Sequence, residues 1–238
     1  MLINSPTERQ IRIEHKRRKL LRFLRDETWS SLPVMASLLA MTEPAMYKTL
    51  CQMERDGFII RHKVESLRMS LWGITTKGLL WAWDADEKMQ PRPYFEPSKL
   101  APVTIQHNLD TQTARLRAEQ SGWSEWVPGN RLPPEIKKRP DAMARPPWGE
   151  QVAIEIERSI KTQKRYESII SLYLQAIKRG DLDKVHYVCP DAEFAQRMRR
   201  MFTLIDAVPV VGERVLLTDK HRARFPVYAL ENWPPAAP

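Results

Sequence analysis

Residues Arg139–Arg165 read RPDAMARPPWGEQVAIEIERSIKTQKR, and the rest of the chain is organised around them. Val152-Ala-Ile-Glu-Ile-Glu157 alternates, and a strand sends successive side chains to opposite faces. Val152, Ile154 and Ile156 therefore share a face that can enter a core, while Glu155 and Glu157 share the other, about 6.6 Å apart along the strand. If this strand pairs as a hairpin with the stretch around Asp141, across the turn-rich Pro146-Pro-Trp-Gly149, three acids converge. Side-by-side acids repel unless a cation is present, and hard oxygen ligands suit magnesium or manganese. Asp141, Glu155 and Glu157 are thus the expected metal ligands. Lys161 and Lys164 follow at the start of a helix, and acids plus lysine at a strand edge point to metal-assisted cleavage of a phosphodiester. The same alternation also describes a half-exposed strand whose acids are solvated, so the surrounding order must decide.

The 238 residues suit one large or two modest domains. A formal charge of +9 favours a polyanionic partner. Cys51 and Cys189 have neither metal-ligand spacing nor a disulfide framework, which fits a reducing cytosol. No stretch is apolar enough to span a bilayer, and the N-terminus lacks the apolar core of a signal peptide. Prolines cluster at apparent joints: Pro91–Pro102, Pro128–Pro147, and the tail from Trp233.

Residues 1–12 read as a loose lead-in. Helices are expected from Glu14, with Leu20, Leu21 and Leu24 inward; over Leu32–Leu39; and over Ala45–Arg55, with Met46, Leu50 and Met53 inward. Thr42 is positioned to cap the third helix and Asp56-Gly57 to end it. Phe58–Val64 and Met69–Ile74 follow as strands, and Ile74-Thr-Thr-Lys-Gly78 opens a further helix. Three helices and a β-hairpin resemble the winged helix-turn-helix plan. That resemblance implies DNA in contact with Tyr47, Lys48, Gln52 and Arg55 on the third helix, and with Arg61, Lys63 and Arg68 on the wing. A protein-interaction winged helix is the alternative; the basic first helix and wing favour DNA.

Asp84–Pro102 reads as a polar, proline-rich linker. Beyond it come a helix from Thr104 to Gln120 carrying His107 and Asp110, strands near Trp123–Val127, Asp141–Ala144 and Val152–Glu157, and a helix with Tyr166, Ile169, Ile170, Tyr173, Leu174 and Ile177 on one stripe. Leu182–Cys189 is a strand, Ala192–Ile205 a basic amphipathic helix and Val215–Thr218 a last strand. The expected division is 1–90, a linker at 91–103, and 104–238.

This order, with Pro140-Asp141 and Glu155, resembles the PD-(D/E)xK nucleases, the restriction-endonuclease-like fold. The chain departs from the motif in holding Glu157 where lysine is usual. A Glu-x-Glu variant occurs in that superfamily, with lysine supplied from the following helix, here Lys161 or Lys164. The fold class expected is therefore mixed α+β and α/β: a winged helix, then a nuclease-like mixed sheet flanked by helices.

The winged helix, His107, Pro140-Asp141 and Glu155-x-Glu157-x-x-x-Lys161 with Arg165-Tyr166 together resemble the plasmid replication-relaxation family, and within it the MobC-type mobilization relaxases. What the resemblance implies is a cytoplasmic bacterial relaxase that binds double-stranded plasmid DNA at a transfer origin and nicks one strand. Its cofactor would be Mg2+ or Mn2+. Its partners would be the nicked DNA, an accessory mobilization protein and a type IV secretion coupling machinery. Asp141, Glu155 and Glu157 would serve the metal, Lys161 or Lys164 the transition-state charge, and His107 the same edge. A covalent tyrosine step and direct attack by water both remain open. The rival readings are a non-catalytic replication or regulatory DNA-binding protein, and a restriction or repair endonuclease cutting both strands. The dispersed histidines (15, 62, 107, 186 and 221) do not suit a histidine-triad metal site.

Overall fold

A computed structural model describes residues 6–136, 138–210 and 213–237. The chain is mixed α+β and forms two compact units, residues 1–112 and 113–238. The division falls inside one helix, and the stretch expected as a linker, 91–103, lies in the first unit. Among the described residues no helix is long and apolar enough to cross a membrane.

The first unit begins with α1 (Pro6–Glu27), which starts well before Glu14. Its first turns were not legible because Thr7–Ile13 are exposed and carry no apolar stripe; residues 1–5 of the expected lead-in lie outside the described residues. A short strand, β1 (Trp29–Ser31), leads into α2 (Leu32–Leu38) and α3 (Glu43–Arg55). Met46, Leu50 and Met53 are buried as their spacing predicts. Thr42 occupies the N-cap position of α3, but its hydroxyl makes no capping bond; Gly57 takes φ +76° after the helix. β2 (Ile59–Val64) and β3 (Met69–Ile74) form a hairpin, and β1 pairs antiparallel with β3 on its other side.

The helix expected after Ile74 is only α4 (Thr76–Leu80), capped by the Thr75 hydroxyl, which accepts from the Gly78 N–H at 3.0 Å. Phe95 returns to β3: its N–H donates to the Ile74 carbonyl at 2.8 Å and its ring covers Gly73, where a Cβ would stand 2.0 Å from it. A proline-rich stretch is thereby built into a core, which composition does not reveal.

α5 (Pro102–Gln120) runs across the division between the units. The second unit is organised on a five-stranded sheet of order β10-β7-β6-β5-β4. β4 (Ser124–Pro128), β5 (Ala142–Arg145) and β6 (Val152–Ile156) form an antiparallel meander. α6 (Gln163–Arg179) then crosses to β7 (Lys184–Cys189), parallel to β6. α6 is capped by Thr162, whose hydroxyl accepts from the Arg165 N–H, and is ended by Gly180 at φ +82°. α7 (Ala192–Thr203), capped by Asp191, precedes a separate two-stranded hairpin, β8 (Ala207–Val210) with β9 (Glu213–Leu216). After α8 (Asp219–Arg222), β10 (Val227–Ala229) joins the sheet parallel to β7. The strand expected at Val215–Thr218 thus belongs to the hairpin rather than to the main sheet. The strand that completes the sheet has three residues, too few for a readable alternation.

β6 is buried on both faces, so Glu155 and Glu157 are not on a solvated edge. Glu155, Glu157 and Ala153 face Tyr166, Ile170 and Tyr173 of α6 and the Met143 side of β5. The opposite face packs Val152, Ile154 and Ile156 with Ala114 and Ala118 of α5, Trp123 and Trp233. His186 of β7 sits on this second face, where its Nδ1 accepts from the indole N–H of Trp233 at 3.1 Å. Trp123 and Tyr228 flank its ring. Burial pushes the imidazole down to about 4, assisted by Lys184 and opposed by Glu150.

A base whose folded pKa is depressed leaves the unfolded chain to bind the proton first. This contribution to stability is therefore full above about pH 6.5 and is lost as pH falls toward 4. The loss is about 3 kcal/mol at 1.36 kcal/mol per unit. The raised pKa of Glu155, described below, acts in the opposite direction, so the measurement is a difference. Denaturant midpoints of the natural chain should fall between pH 6.5 and 4 relative to His186→Asn. Parallel pH profiles for the two would remove the histidine as the cause.

Candidate functional site

β5 and β6 pair with Ala142 opposite Ile154, and Asp141 immediately precedes that last pair, close enough to Glu155 for their charges to interact. The Asp141 N–H donates to the Ile154 carbonyl at 3.0 Å, and its Oδ2 accepts from the Ile156 N–H at 2.7 Å. Glu155 is 9% exposed, and its Oε1 accepts from both the Lys138 ammonium and the Tyr173 hydroxyl. Burial pushes the Glu155 carboxyl up; Lys138 pulls it back and Asp141 pushes it further. Two acids and a lysine are thus brought together, and the lysine is neither of those expected.

Lys138 belongs to the excursion between β4 and β5. It follows no helical or strand period, so spacing could not select it; its one signal was the basic run of residues 137–139 before Pro140-Asp141. The excursion closes on its own base. The Gly129 N–H donates to the Asp141 carbonyl at 2.8 Å, and a Cβ at Gly129 would stand 2.1 Å from the Pro140 carbonyl oxygen. Gly129→Ala must push Pro140 and Asp141 away. We expect a loss of about 1–3 kcal/mol, the usual range for overpacking, read by thermal denaturation. An unchanged midpoint would show that the excursion yields freely.

Glu157, 4% exposed, accepts from the Lys161 ammonium, and its N–H donates to the Val188 carbonyl at 2.9 Å. The Lys161 N–H donates to the Tyr166 hydroxyl at 3.2 Å. Each glutamate is therefore closed by its own lysine. Lys164 is exposed on the first turn of α6. His107 and Asp110 lie on the part of α5 that belongs to the first unit; Asp110 is buried and accepts from Gln106 at 3.1 Å.

Tyr187 of β7 is in register with Glu155, and its buried hydroxyl has no partner among the described residues. Burial, then Glu155 and Glu157, hold its phenol well above the ordinary range. An orphaned hydroxyl beside two carboxylates is the setting of a water or a hydrated cation.

Among the described residues no three Asp, Glu, His or Cys side chains form a ready metal cage. The expected trio is thus not assembled as three converging ligands. Asp141 and Glu155 are the carboxylates that could hold a hydrated divalent ion, since magnesium uses one or two carboxylates and keeps several waters.

In the first unit, the outer surface of α3 is tied to the hairpin. The Arg61 guanidinium donates to the Tyr47 hydroxyl at 3.2 Å and to Ser70 Oγ at 3.0 and 3.1 Å, over the faces of Tyr47 and Trp72. Gln52 accepts from Arg55 at 2.6 Å and donates to Asp56 at 2.8 Å. Lys63 pairs with Glu65 at 2.9 Å. Arg68 stands at the hairpin tip with φ +50°, and Lys48 is exposed on α3. These seven expected residues all lie exposed on α3 and its hairpin, several engaged with one another.

Comparison with protein-family models, with curated proteins and with solved structures finds no match to this chain.

Proposed function

We propose that the protein is a metal-dependent DNA nickase, a plasmid relaxase of the PD-(D/E)xK type, with a winged-helix DNA-binding unit ahead of the nuclease-like unit. The observation that carries this reading is Asp141, at the start of β5, close enough to Glu155 of β6 to push its carboxyl pKa up, with the Lys138 ammonium on Glu155. It is supported by the order of the second unit, a helix, a three-stranded meander, a crossover helix and a parallel strand. It is supported as well by the order of the first, three helices with β1 after the first and a hairpin after the third.

Asp141 and Glu155 would hold the Mg2+ or Mn2+ ion, which supplies Lewis-acid polarisation of the scissile phosphate. Lys138, whose ammonium pairs with Glu155, would take the part that sequence assigned to Lys161 or Lys164 and offset negative charge growing on the phosphate oxygens. Lys161, held by Glu157, borders the same face. Tyr166, Tyr173 and Tyr187 are buried with their phenols held up, chiefly by burial. High phenol pKa values favour water over tyrosine as nucleophile. The transfer origin as the target, an accessory protein and secretion machinery as partners, and the bacterial cytoplasm as the compartment belong to the same proposal.

A second reading has its own support: the closure of Glu155 by Lys138 and Tyr173 suits a structural ion pair in a DNA-binding protein that does not cut. Incubation with supercoiled plasmid carrying the cognate origin, with and without Mg2+ or Mn2+, separates the readings. Open circles that disappear with EDTA are expected. Linear product would make the protein a double-strand endonuclease. Tight binding without cleavage, even with the accessory protein present, would favour the non-catalytic reading.

A further inference from the structure

A second cleft in the nuclease-like unit is unlike the first in charge. Beside Glu155, Lys138 and Tyr173 line a space of about 490 Å³ whose cations are already matched: Lys138 by Glu155, and Arg179 by Asp181 at 2.7 Å. On the other flank of α6, the helix, the β8–β9 hairpin and α8 frame a cleft of about 410 Å³. Its walls carry Leu174, Ile177 and Val215 together with Lys178, Lys220 and Arg224, and among the described residues no Asp or Glu lines it.

Lys178 and Lys220 are exposed and make no ion pair among the described residues. Arg224 spends one N–H on the Asp183 carbonyl at 3.1 Å, a neutral partner that leaves its charge uncancelled. Three cations around an aliphatic floor select a ligand that is anionic at one end and apolar at the other. Volumes of roughly 300–1,000 Å³ are those of ordinary ligand sites.

We propose that this cleft holds a nucleotide of single-stranded DNA, its base against Leu174, Ile177 and Val215 and its phosphates against Lys178, Lys220 and Arg224. The choice of nucleic acid rests on the nickase reading, in which a cut strand is released beside this unit. Among the described lining residues the aromatic ring is the His221 imidazole, held by Thr218 through its Nδ1, and no Phe, Tyr or Trp lines the cleft, so the binding is predominantly electrostatic.

The test uses the full chain and a labelled mixed-sequence 12-mer, read by fluorescence anisotropy across a salt series. Lys178→Glu/Lys220→Glu is expected to weaken single-strand binding by at least about tenfold. It should also flatten the slope of log affinity against log salt by about 1.4, two phosphate contacts at roughly 0.7 each. Duplex binding should be unchanged. Thermal denaturation verifies folding, with Lys178→Gln/Lys220→Gln in reserve should the charge reversal unfold the chain. In the natural chain, methyl resonances of Ile177 and Val215 should shift on adding the 12-mer.

Unchanged affinity and slope, an equal loss for duplex, or full displacement of the 12-mer by millimolar inorganic phosphate would each overturn the proposal. A failure of the nickase reading registers separately, as intact 12-mer binding in a chain that never cuts plasmid.

Discussion

Changing Glu155 to glutamine is expected to lower origin-dependent nicking by about a thousandfold or more, while duplex binding stays within twofold. The magnitude follows from removing one of two carboxylates that would hold the catalytic ion, an effect on the scale of a principal electrostatic contributor to catalysis. The same substitution makes a second prediction that separates a working acid from a structural one. The folded state raises the Glu155 pKa, with burial as the largest cause.

An acid whose pKa is raised on folding penalises the folded state above that pKa and ceases to do so once protonated. Glutamine removes the penalty and still accepts from Tyr173, while Lys138, partly exposed, can turn toward solvent. The variant should therefore be as stable as the natural chain or more so at pH 8, and the difference should vanish in acid. Loss of activity with retained stability identifies a group kept for chemistry. Loss of stability at pH 8 with binding abolished would make Glu155 part of the scaffold.

Trp233→Ala is expected to cost about 3–5 kcal/mol, the range for truncating a large aromatic in a core. Trp233 is 1% exposed, tilted against Trp123 at 5.2 Å between ring centroids and edge-on to Trp126 at 6.4 Å. Its indole N–H is the donor to His186, and its carbonyl and that of Glu231 accept from Arg117 of α5 at 2.9 and 2.5 Å. Removing the ring opens a cavity and leaves the imidazole without its donor. The low pKa of His186 depends on that burial, so the variant should also bring the imidazole back toward its ordinary value. Chemical denaturation reads the first effect and the histidine ring resonances the second. A loss under 1 kcal/mol would mean that the tail is dispensable to the core.

The hydrophobic stripe of α6 and the alternation of β6 were legible because periodicity is a property of neighbouring residues. Glu155 and Glu157 do share a face, as the period of two requires. That this face is a buried one under α6 was not legible: burial depends on which strands flank β6, and β7 arrives only after the crossover. Lys138 was missed for the same reason in stronger form, since its position depends on how a proline-rich excursion folds back onto Gly129. Trp233 looked like part of a tail because it is followed by Pro-Pro-Ala-Ala-Pro; only the tertiary structure places it among three other tryptophans and a histidine. The same holds for Phe95, whose role is set by the missing side chain at Gly73.

The position of β10 and Trp233 orders the events of synthesis. The first unit contains all its strands by residue 74 and ends at residue 112, so its core can form while the ribosome is still adding the remainder. The second unit lacks an outer strand until residue 229 is made and lacks the centre of its tryptophan cluster until residue 233. Until then, the acids of β6 have one side of their sheet incompletely covered. A chain stalled or clipped short of Trp233 would therefore carry a folded first unit without a competent second one.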